Sequence, residues 1–370
     1  MQTHTGVPTT MNAVVLTGHG GLDQLVSRAD TPTPTPGPDE VLVQVGACGL
    51  NNTEINTRTG WYDRKVKTSQ SEELGLRGRD DDAGSSWLKS PIVFPRIQGS
   101  AVAGRIVAVG AQADAARIGE RVLVDPSVRD HSLPKHAQLT EYLGSERDGG
   151  YADYVAVPSI NAHAIDSPLS DAELATFPCS YDTAEEMLAR ADLREGETVL
   201  ITGASGGVGT ALIQLAHVRG ARVVAVASES KRERLEALGA DLFVPRDAEL
   251  LQESVEALVG EQAIDVVADV VGGELFGPIL KVLRRAGRYT TSGAIGGPMT
   301  SIDLRDLIYK DLEMHGITNP TPETFARLVK LIGEGQLKPM LEASYRLDEL
   351  PQAQEQMVKR THVGKFVVVP

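Results

Sequence analysis

A chain of 370 residues is too long for one small domain and sufficient for two, and 41% hydrophobic with 23% charged residues is ordinary for a globular protein in water. The formal net charge of -14 argues against nucleic acid and anionic membranes as partners, which need basic patches, but leaves room for an anionic ligand held by local charge. Two cysteines, Cys48 and Cys179, exclude a disulfide framework and a four-cysteine zinc lobe and suit a reducing compartment.

The opening MQTHTGVPTTMNAVVL has no apolar signal core, and no run of 18 apolar residues follows. A cytoplasmic protein is expected, with residues 1–10 as a disordered tail. Residues 11–60 read as β. NAVVL and EVLVQVGACGL are short Val-rich runs, joined by TPTPTPGPDE, where proline withholds ladder donors. GRIVAVG, GERVLVDP and GYADYVAVP continue the strand-and-turn rhythm to about residue 158. Two polar, aperiodic stretches, 64–86 and 127–148, read as long loops. Trp61 and Trp87 flank the first, which reads equally well as a lid over a cleft and as a plain solvated insertion.

From about residue 170 the rhythm changes. DAELATFPCSYDTAEEMLARA has helical spacing, and then TVLI, ARVVAVA, ADLFV, AIDVVADVV and GRYTTSGAI recur as apolar, β-branched runs. Helical segments such as KRERLEALG and AELLQESVEALVG separate most of them. Strands buried on both faces and alternating with helices predict a doubly wound parallel sheet. LEMHGIT is expected as its last strand. The helix PETFARLVKLIGEG and the strand GKFVVVP then form a tail with no further βα partner, which is expected to return to the first domain.

Between TVLI and the next helix runs GASGGVG, residues 203–209. Ala204, Ser205, Gly206, Gly207, Val208 and Gly209 are small enough for a tight bend and a close backbone approach, and the helix N-terminus offers free N–H groups to an anion. A dinucleotide pyrophosphate fits that description.

VLITGASGGVGTALIQLA, the earlier ACGLNN, GGYADYVAVP and the closing GKFVV together resemble the medium-chain dehydrogenase/reductase family, most of all its zinc-free quinone oxidoreductase-like branch. The resemblance implies an α/β protein in which a Rossmann domain, a doubly wound parallel sheet, is inserted in a GroES-like β domain. The boundaries it suggests are 1–170 with 310–370 for the GroES-like substrate domain and 171–309 for the Rossmann, NADP-binding domain. One departure stands out: the first glycine of G-x-G-x-x-G is Ala204, which still permits the turn.

An acid ending the second nucleotide strand would accept the ribose 2′-OH of NAD. Here that end reads Val226, Ala227, Ser228. Lys231 and Arg232 follow within a turn, and Arg246 follows the third strand, so Ser228, Lys231, Arg232 and Arg246 are the candidates for a 2′-phosphate, with Glu229 turned to solvent. By resemblance the nicotinamide end meets Val270, Val271 and Gly272 of DVVGG and Ser292, Gly293 and Ala294 of SGAIGG, and Lys365 of GKFVV joins the cofactor contacts. The alternative is that SKRER is only a solvated helix face.

The resemblance places three catalytic zinc ligands at Asn51, Ser100 and Cys179. A neutral amide and a hydroxyl are poor zinc ligands, so no zinc is expected, and Cys179 reads as a small buried hydrophobe. His131 and His136 read as solvated loop histidines. Without a metal to polarise an isolated ketone, conjugated acceptors are the easier substrates: enones, enals, enoyl thioesters or quinones, whose enolate hydrogen bonds can hold. Asn51, Thr53, Asn56 and Tyr62 are the candidate catalytic side chains, Tyr62 as oxyanion donor, proton donor or merely a packed aromatic. Glu54 and Arg58 read as a structural pair. The expected protein is a zinc-independent NADPH-dependent reductase of a small molecule, acting as a homodimer. A metal-free alcohol or ketone dehydrogenase and a non-catalytic NADPH-binding protein are the alternatives.

Overall fold

The computed structural model describes residues 2–3, 6–78, 86–88, 91–247 and 249–370. The first domain is built from β1 (Thr10–Leu16), β2 (Leu25–Pro32), β3 (Glu40–Gly49), α1 (Asn52–Thr59), α2 (Glu72–Arg77), β4 (Ala101–Val109), β5 (Arg121–Val124), β6 (Ser127–Arg129), β7 (Leu139–Tyr142), β8 (Tyr154–Pro158) and β9 (Ala162–Ala164). β3 and β4 form a long antiparallel pair, and β5 and β9 extend the sheet beyond β4. Val41, Val43, Val45 and Cys48 of β3 pack with Val102 and Ile106 of β4 and with Val14 and Leu16 of β1.

The second domain follows: α3 (Ser180–Arg190), β10 (Thr198–Ile201), α4 (Gly207–Val218), β11 (Arg222–Ala227), α5 (Arg232–Leu238), β12 (Leu242–Pro245), α6 (Leu251–Val259), β13 (Ile264–Asp269), α7 (Phe276–Val282), β14 (Leu283–Thr291) and β15 (Glu313–Gly316). The sheet order is β12-β11-β10-β13-β14-β15, parallel throughout. Val199, Leu200, Ile201, Val223, Val224, Val266 and Val267 are all buried, which is why these strands show no alternation: helices cover both faces. The order reverses between β10 and β13, and a crevice opens there at the carboxyl ends of the strands.

The chain then forms α8 (Pro322–Gly333), β16 (Leu341–Arg346), α9 (Leu350–Val358) and β17 (Lys365–Val369). β17 pairs parallel with β16 and antiparallel with β3. Among the described residues no helix is long and apolar enough to cross a membrane.

Several expectations are corrected. Residues 11–60 are not all β. Asn51 starts α1, Glu54 accepts from the Asn51 backbone N–H at 2.8 Å, and Gly60 ends the helix in the left-handed region at φ 71°. The 64–86 stretch contains α2, capped by Ser71, whose hydroxyl accepts from the Leu74 N–H at 3.1 Å; residues 79–85 lie outside the described ones. The 127–148 stretch contains the antiparallel pair β6–β7. Residues 1–10 are not wholly a tail, because Gln2–Thr3 pairs antiparallel with the end of β4, whose backbone groups are free there; residues 1, 4 and 5 lie outside the described ones. The boundary at 309/310 falls too early. β15 belongs to the parallel sheet, and α8 buries Phe325, Leu328 and Leu331 in one core with Met187 of α3 and Ile213 of α4.

Candidate active site

The crevice between the domains has a volume of ≈ 980 Å³. The turn after β10 forms its floor. Gly203 has φ 56°, and a Cβ at Gly209 would lie 2.3 Å from the Gly203 carbonyl oxygen, so only glycine closes this bend. α4 begins at Gly207 with its N-terminus toward the crevice. Opposite, the buried Asp269 carboxylate fixes the loop after β13: Oδ1 accepts from the Val271 N–H at 2.9 Å and Oδ2 from the Tyr289 hydroxyl at 2.7 Å. This cradle, with its glycine bend and open helix end, fits a dinucleotide.

Of the expected cofactor contacts, Ser205, Gly206, Gly207, Val208, Gly209, Ser228, Lys231, Arg246, Val270, Val271, Ser292, Gly293, Ala294 and Lys365 line the crevice. Ala204 and Gly272 do not; they shape the turns behind it, Gly272 donating its N–H to Asp269 at 3.1 Å. Arg232 is the main correction. It pairs with Glu229 at 2.6 Å and lies over the Phe243 ring at 4.4 Å, outside the crevice. Adjacent helical residues point about 100° apart, so only one of Lys231 and Arg232 faces inward.

Two basic groups that the sequence reading missed come from the far end of the chain: Arg360 and His362. Lys231 Nζ donates to Ser205 Oγ at 2.9 Å and to the Arg360 carbonyl at 2.8 Å. Burial lowers the Lys231 ammonium below its ordinary value, with Arg246 adding repulsion. Burial, with Lys231 nearby, pushes His362 down to about 4, so it stays neutral. Arg360 donates to the Gln70 carbonyl, and the Gln70 N–H donates to the Ile295 carbonyl at 3.2 Å. Gln70 thereby links the loop after β14 to the end of α9 across the crevice.

Asn51 and Ser100 do come together, but as a hydrogen-bonded group to which the Cys179 side chain does not bond. Asn51 Nδ2 donates to Ser100 Oγ at 3.2 Å, and Ser100 Oγ donates to Glu54 Oε1 at 2.7 Å. Lys365 Nζ donates to Asn51 Oδ1 at 2.5 Å and to the Pro178 carbonyl at 3.3 Å. An ammonium therefore occupies the oxygen that a metal would need, and among the described residues no three His, Cys, Asp or Glu side chains group to hold a metal. This donor set does not fit zinc. Burial raises the Glu54 carboxyl and lowers the Lys365 ammonium from their ordinary values.

Cys179 is not simply buried hydrophobe. It lines the crevice, has φ 68° at the start of α3, and accepts from the Tyr142 hydroxyl at 3.3 Å. Burial, with Asp182 beside it, pushes its thiol up to about 11, so it remains a neutral thiol. The expected Glu54–Arg58 pair does not form. Arg58 is buried and donates to Gln354 Oε1 at 2.9 Å and to the Gly20 and Gly75 carbonyls at 2.9 and 2.6 Å. His131 is exposed, and the His136 side chain lies outside the described residues.

Thr53, Asn56 and Tyr62 line the crevice. Burial pushes the Tyr62 phenol up to about 12, against the opposing pull of Asn56 and Thr53, which keeps it a proton-bearing donor. Both tryptophans of the chain join it: Trp61 lies edge-on to Tyr62 at 5.9 Å, and Trp87 edge-on to Tyr142 at 5.2 Å. Tyr142 was missed because only the β6–β7 pairing carries it inward, and no local pattern marks that.

A glycine turn at the switch point of a doubly wound sheet, facing a second domain across one crevice, defines a two-domain nicotinamide-dependent oxidoreductase. The family model for the alcohol dehydrogenase GroES-like domain matches residues 37–167, and that for the zinc-binding dehydrogenase matches residues 207–334. A solved structure of an alcohol dehydrogenase homologue from Sinorhizobium meliloti 1021 is 48% identical, with TM-score 0.89, over 99% of this chain and 98% of that one. Human quinone oxidoreductase is 28% identical over 97% of this chain and 98% of its own. A 2-octenoyl-CoA carboxylase reductase, solved in complex with NADP and 2-octenoyl-CoA, is 26% identical, with TM-score 0.81, over 98% of this chain and 88% of that one. The chain belongs to the medium-chain dehydrogenase/reductase family.

Proposed function

We propose that this protein is a zinc-independent, NADPH-dependent reductase of conjugated carbonyl compounds or quinones, working in the cytoplasm as a homodimer on a small-molecule substrate. The observation that carries the reading is the Asn51–Ser100–Lys365 group, which leaves, among the described residues, no metal-binding set beside the cradle. The similarity to human quinone oxidoreductase and to the NADP-bound 2-octenoyl-CoA enzyme supports it.

When bound, the reduced nicotinamide supplies a hydride to the substrate's β-carbon. The rest falls to the chain. The turn 203–209 and the N-terminus of α4 would hold the pyrophosphate. Ser228 and the charged donors Lys231, Arg246 and Arg360 would surround the 2′-phosphate. Val270, Val271 and Ser292 to Ala294 would back the nicotinamide. Trp61, Tyr62, Trp87 and Tyr142 wall the substrate half with aromatic surface, which suits a flat conjugated molecule and excludes water. Tyr62, a protonated phenol, donates a hydrogen bond toward the substrate oxygen.

The test is an NADPH-oxidation screen across enals, cyclic enones, quinones and enoyl thioesters, run with and without chelator beside elemental analysis. Turnover of at least one conjugated class, undiminished by chelator and without stoichiometric metal, is expected. One zinc per chain, or NADPH binding without turnover of any class, overturns it.

A further inference from the structure

The buried cation in the crevice has more capacity than the structure uses. Lys365 opens β17, with its backbone N–H held by the Met340 carbonyl at 2.8 Å. Its stem crosses the start of α4, where a Cβ on Gly207 would lie 3.0 Å from Lys365 Cγ. The side chain is thus pinned along its length, only 3% exposed, with its head on the crevice wall. An ammonium has three N–H groups. Asn51 Oδ1 and the Pro178 carbonyl take two, and among the described residues no acceptor takes the third.

The counter-charge is held one step away. Glu54 is 3% exposed, and its oxygens are taken by the Asn51 N–H at 2.8 Å, the Ser100 N–H at 3.0 Å and the Ser100 hydroxyl. Among the described residues Lys365 forms no ion pair. The Asn51 amide connects the two charges instead, its oxygen on the ammonium and its Nδ2 3.4 Å from Glu54 Oε1. A direct ion pair would neutralise the ammonium. Relayed through an amide, its field stays directed at the crevice, where low polarity strengthens it.

We propose that Lys365 is a catalytic electrophile: its free N–H donates to the substrate's carbonyl oxygen and holds the charge that develops there, the task a metal would otherwise perform. This rests on the reductase reading above. The β-carbon takes the hydride, the electron pair of the C=C bond moves through the α-carbon to the carbonyl oxygen, and Lys365 keeps its proton while hydrogen-bonding that oxygen. A proton from water then completes the α-carbon as the carbonyl re-forms. Asn51 is the positioning residue that aims the ammonium, and Tyr62, which also lines the crevice, supplies a second donor.

The competing role for Lys365 is a pyrophosphate ligand, and the two roles separate experimentally. In Lys365→Met, NADPH affinity is measured by cofactor fluorescence, and turnover at saturating NADPH with a reducible enone. Turnover is expected to fall about 10²-fold or more, the cost of losing one oxyanion donor, while NADPH affinity changes by less than about threefold. Lys365→Arg should restore part of the rate. Affinity weakened about tenfold or more with saturated turnover intact overturns the proposal, as does a variant unchanged in both.

A second measurement needs only the native protein, and so decides the matter even if the variant does not fold. A phenol whose ionised and neutral forms differ in absorbance is titrated while bound to the protein with 2′-phospho-ADP-ribose, which lacks the positively charged nicotinamide ring. A charge-bearing donor at the carbonyl position should make it ionise at a pH lower by about one unit or more; unchanged ionisation overturns the proposal. Because this readout needs no turnover, it judges Lys365 separately from the reductase reading, which the substrate screen judges.

Discussion

Replacing Lys231 by alanine tests the cofactor reading most directly. Its ammonium sits between Ser205 Oγ at 2.9 Å and the Arg360 carbonyl at 2.8 Å, on the crevice wall with Arg246. A charge-assisted hydrogen bond to a phosphate is worth about 1.5–3 kcal/mol, so losing it should weaken NADPH binding by about 10- to 150-fold. The same substitution also removes the ties to Ser205 and Arg360, and that loss falls on either cofactor. One ordinary hydrogen bond is worth about 1 kcal/mol, so NADH binding should weaken only a few-fold. The preference for NADPH over NADH should therefore fall by about tenfold or more but not vanish, because Arg246 and Arg360 remain. Fluorescence titrations of both cofactors at fixed ionic strength measure this. Arg232→Ala is the internal control: Arg232 is committed to Glu229 and Phe243, so its loss should leave both affinities within about twofold. Equal weakening of NADPH and NADH in Lys231→Ala, or an Arg232→Ala effect as large, would refute the assignment.

Asp182 is buried, and burial raises its carboxyl from 3.8 to about 7, so the folded state binds its proton more tightly than the unfolded chain. The stability it contributes is complete below about 4 and is lost as pH rises through about 7; urea midpoints should show Asp182→Asn gaining about 2–3 kcal/mol on the native protein between pH 5 and pH 8, and a constant difference would contradict this. Gly209→Ala would place a Cβ 2.3 Å from the Gly203 oxygen and 2.6 Å from the Ala204 backbone; a lower melting temperature, by about 2–10 °C, and weaker binding of both cofactors are expected, and unchanged values would show that the turn is not confined. Leu304, Ile308 and Tyr309 stand exposed just before the edge strand β15, Tyr309 at 70%; light scattering should give a dimer for the native protein and a monomer for Ile308→Glu with Tyr309→Glu, whereas a native monomer at micromolar concentration would rule the assembly out.

The parallel sheet was legible because its strands are buried on both faces and therefore read as unbroken apolar runs. The turn 203–209 was legible because its geometry admits little besides glycine. α1 was not, although Asn51, Glu54 and Gly60 mark its ends. Glu54, Thr57 and Arg58 are buried there along with Ile55, so the helix has no apolar stripe for a periodicity reading to find. Lys231 and Arg232 could not be ranked from sequence, because one residue's rotation about a helix decides which of them meets the crevice. Arg360, His362 and Tyr142 reach it only through long-range pairing. Asn51, Ser100 and Cys179 were singled out by resemblance, but nothing local indicated that Lys365 lies on the Asn51 oxygen, 314 residues away in the chain.

The placement of β17 also governs the order in which the molecule assembles. Its partner β3 precedes it by more than 300 residues, whereas every strand of the parallel sheet lies within residues 198–316. During synthesis the nucleotide sheet is complete while the first sheet still lacks β16 and β17 and has an open edge at the Cys48–Gly49 end of β3, beyond the part that β8 covers. Late, distant pairings of this kind slow folding and leave strand edges exposed to association. The strand that closes this edge also delivers Lys365, so no chain can carry the ammonium in place before its first domain has closed.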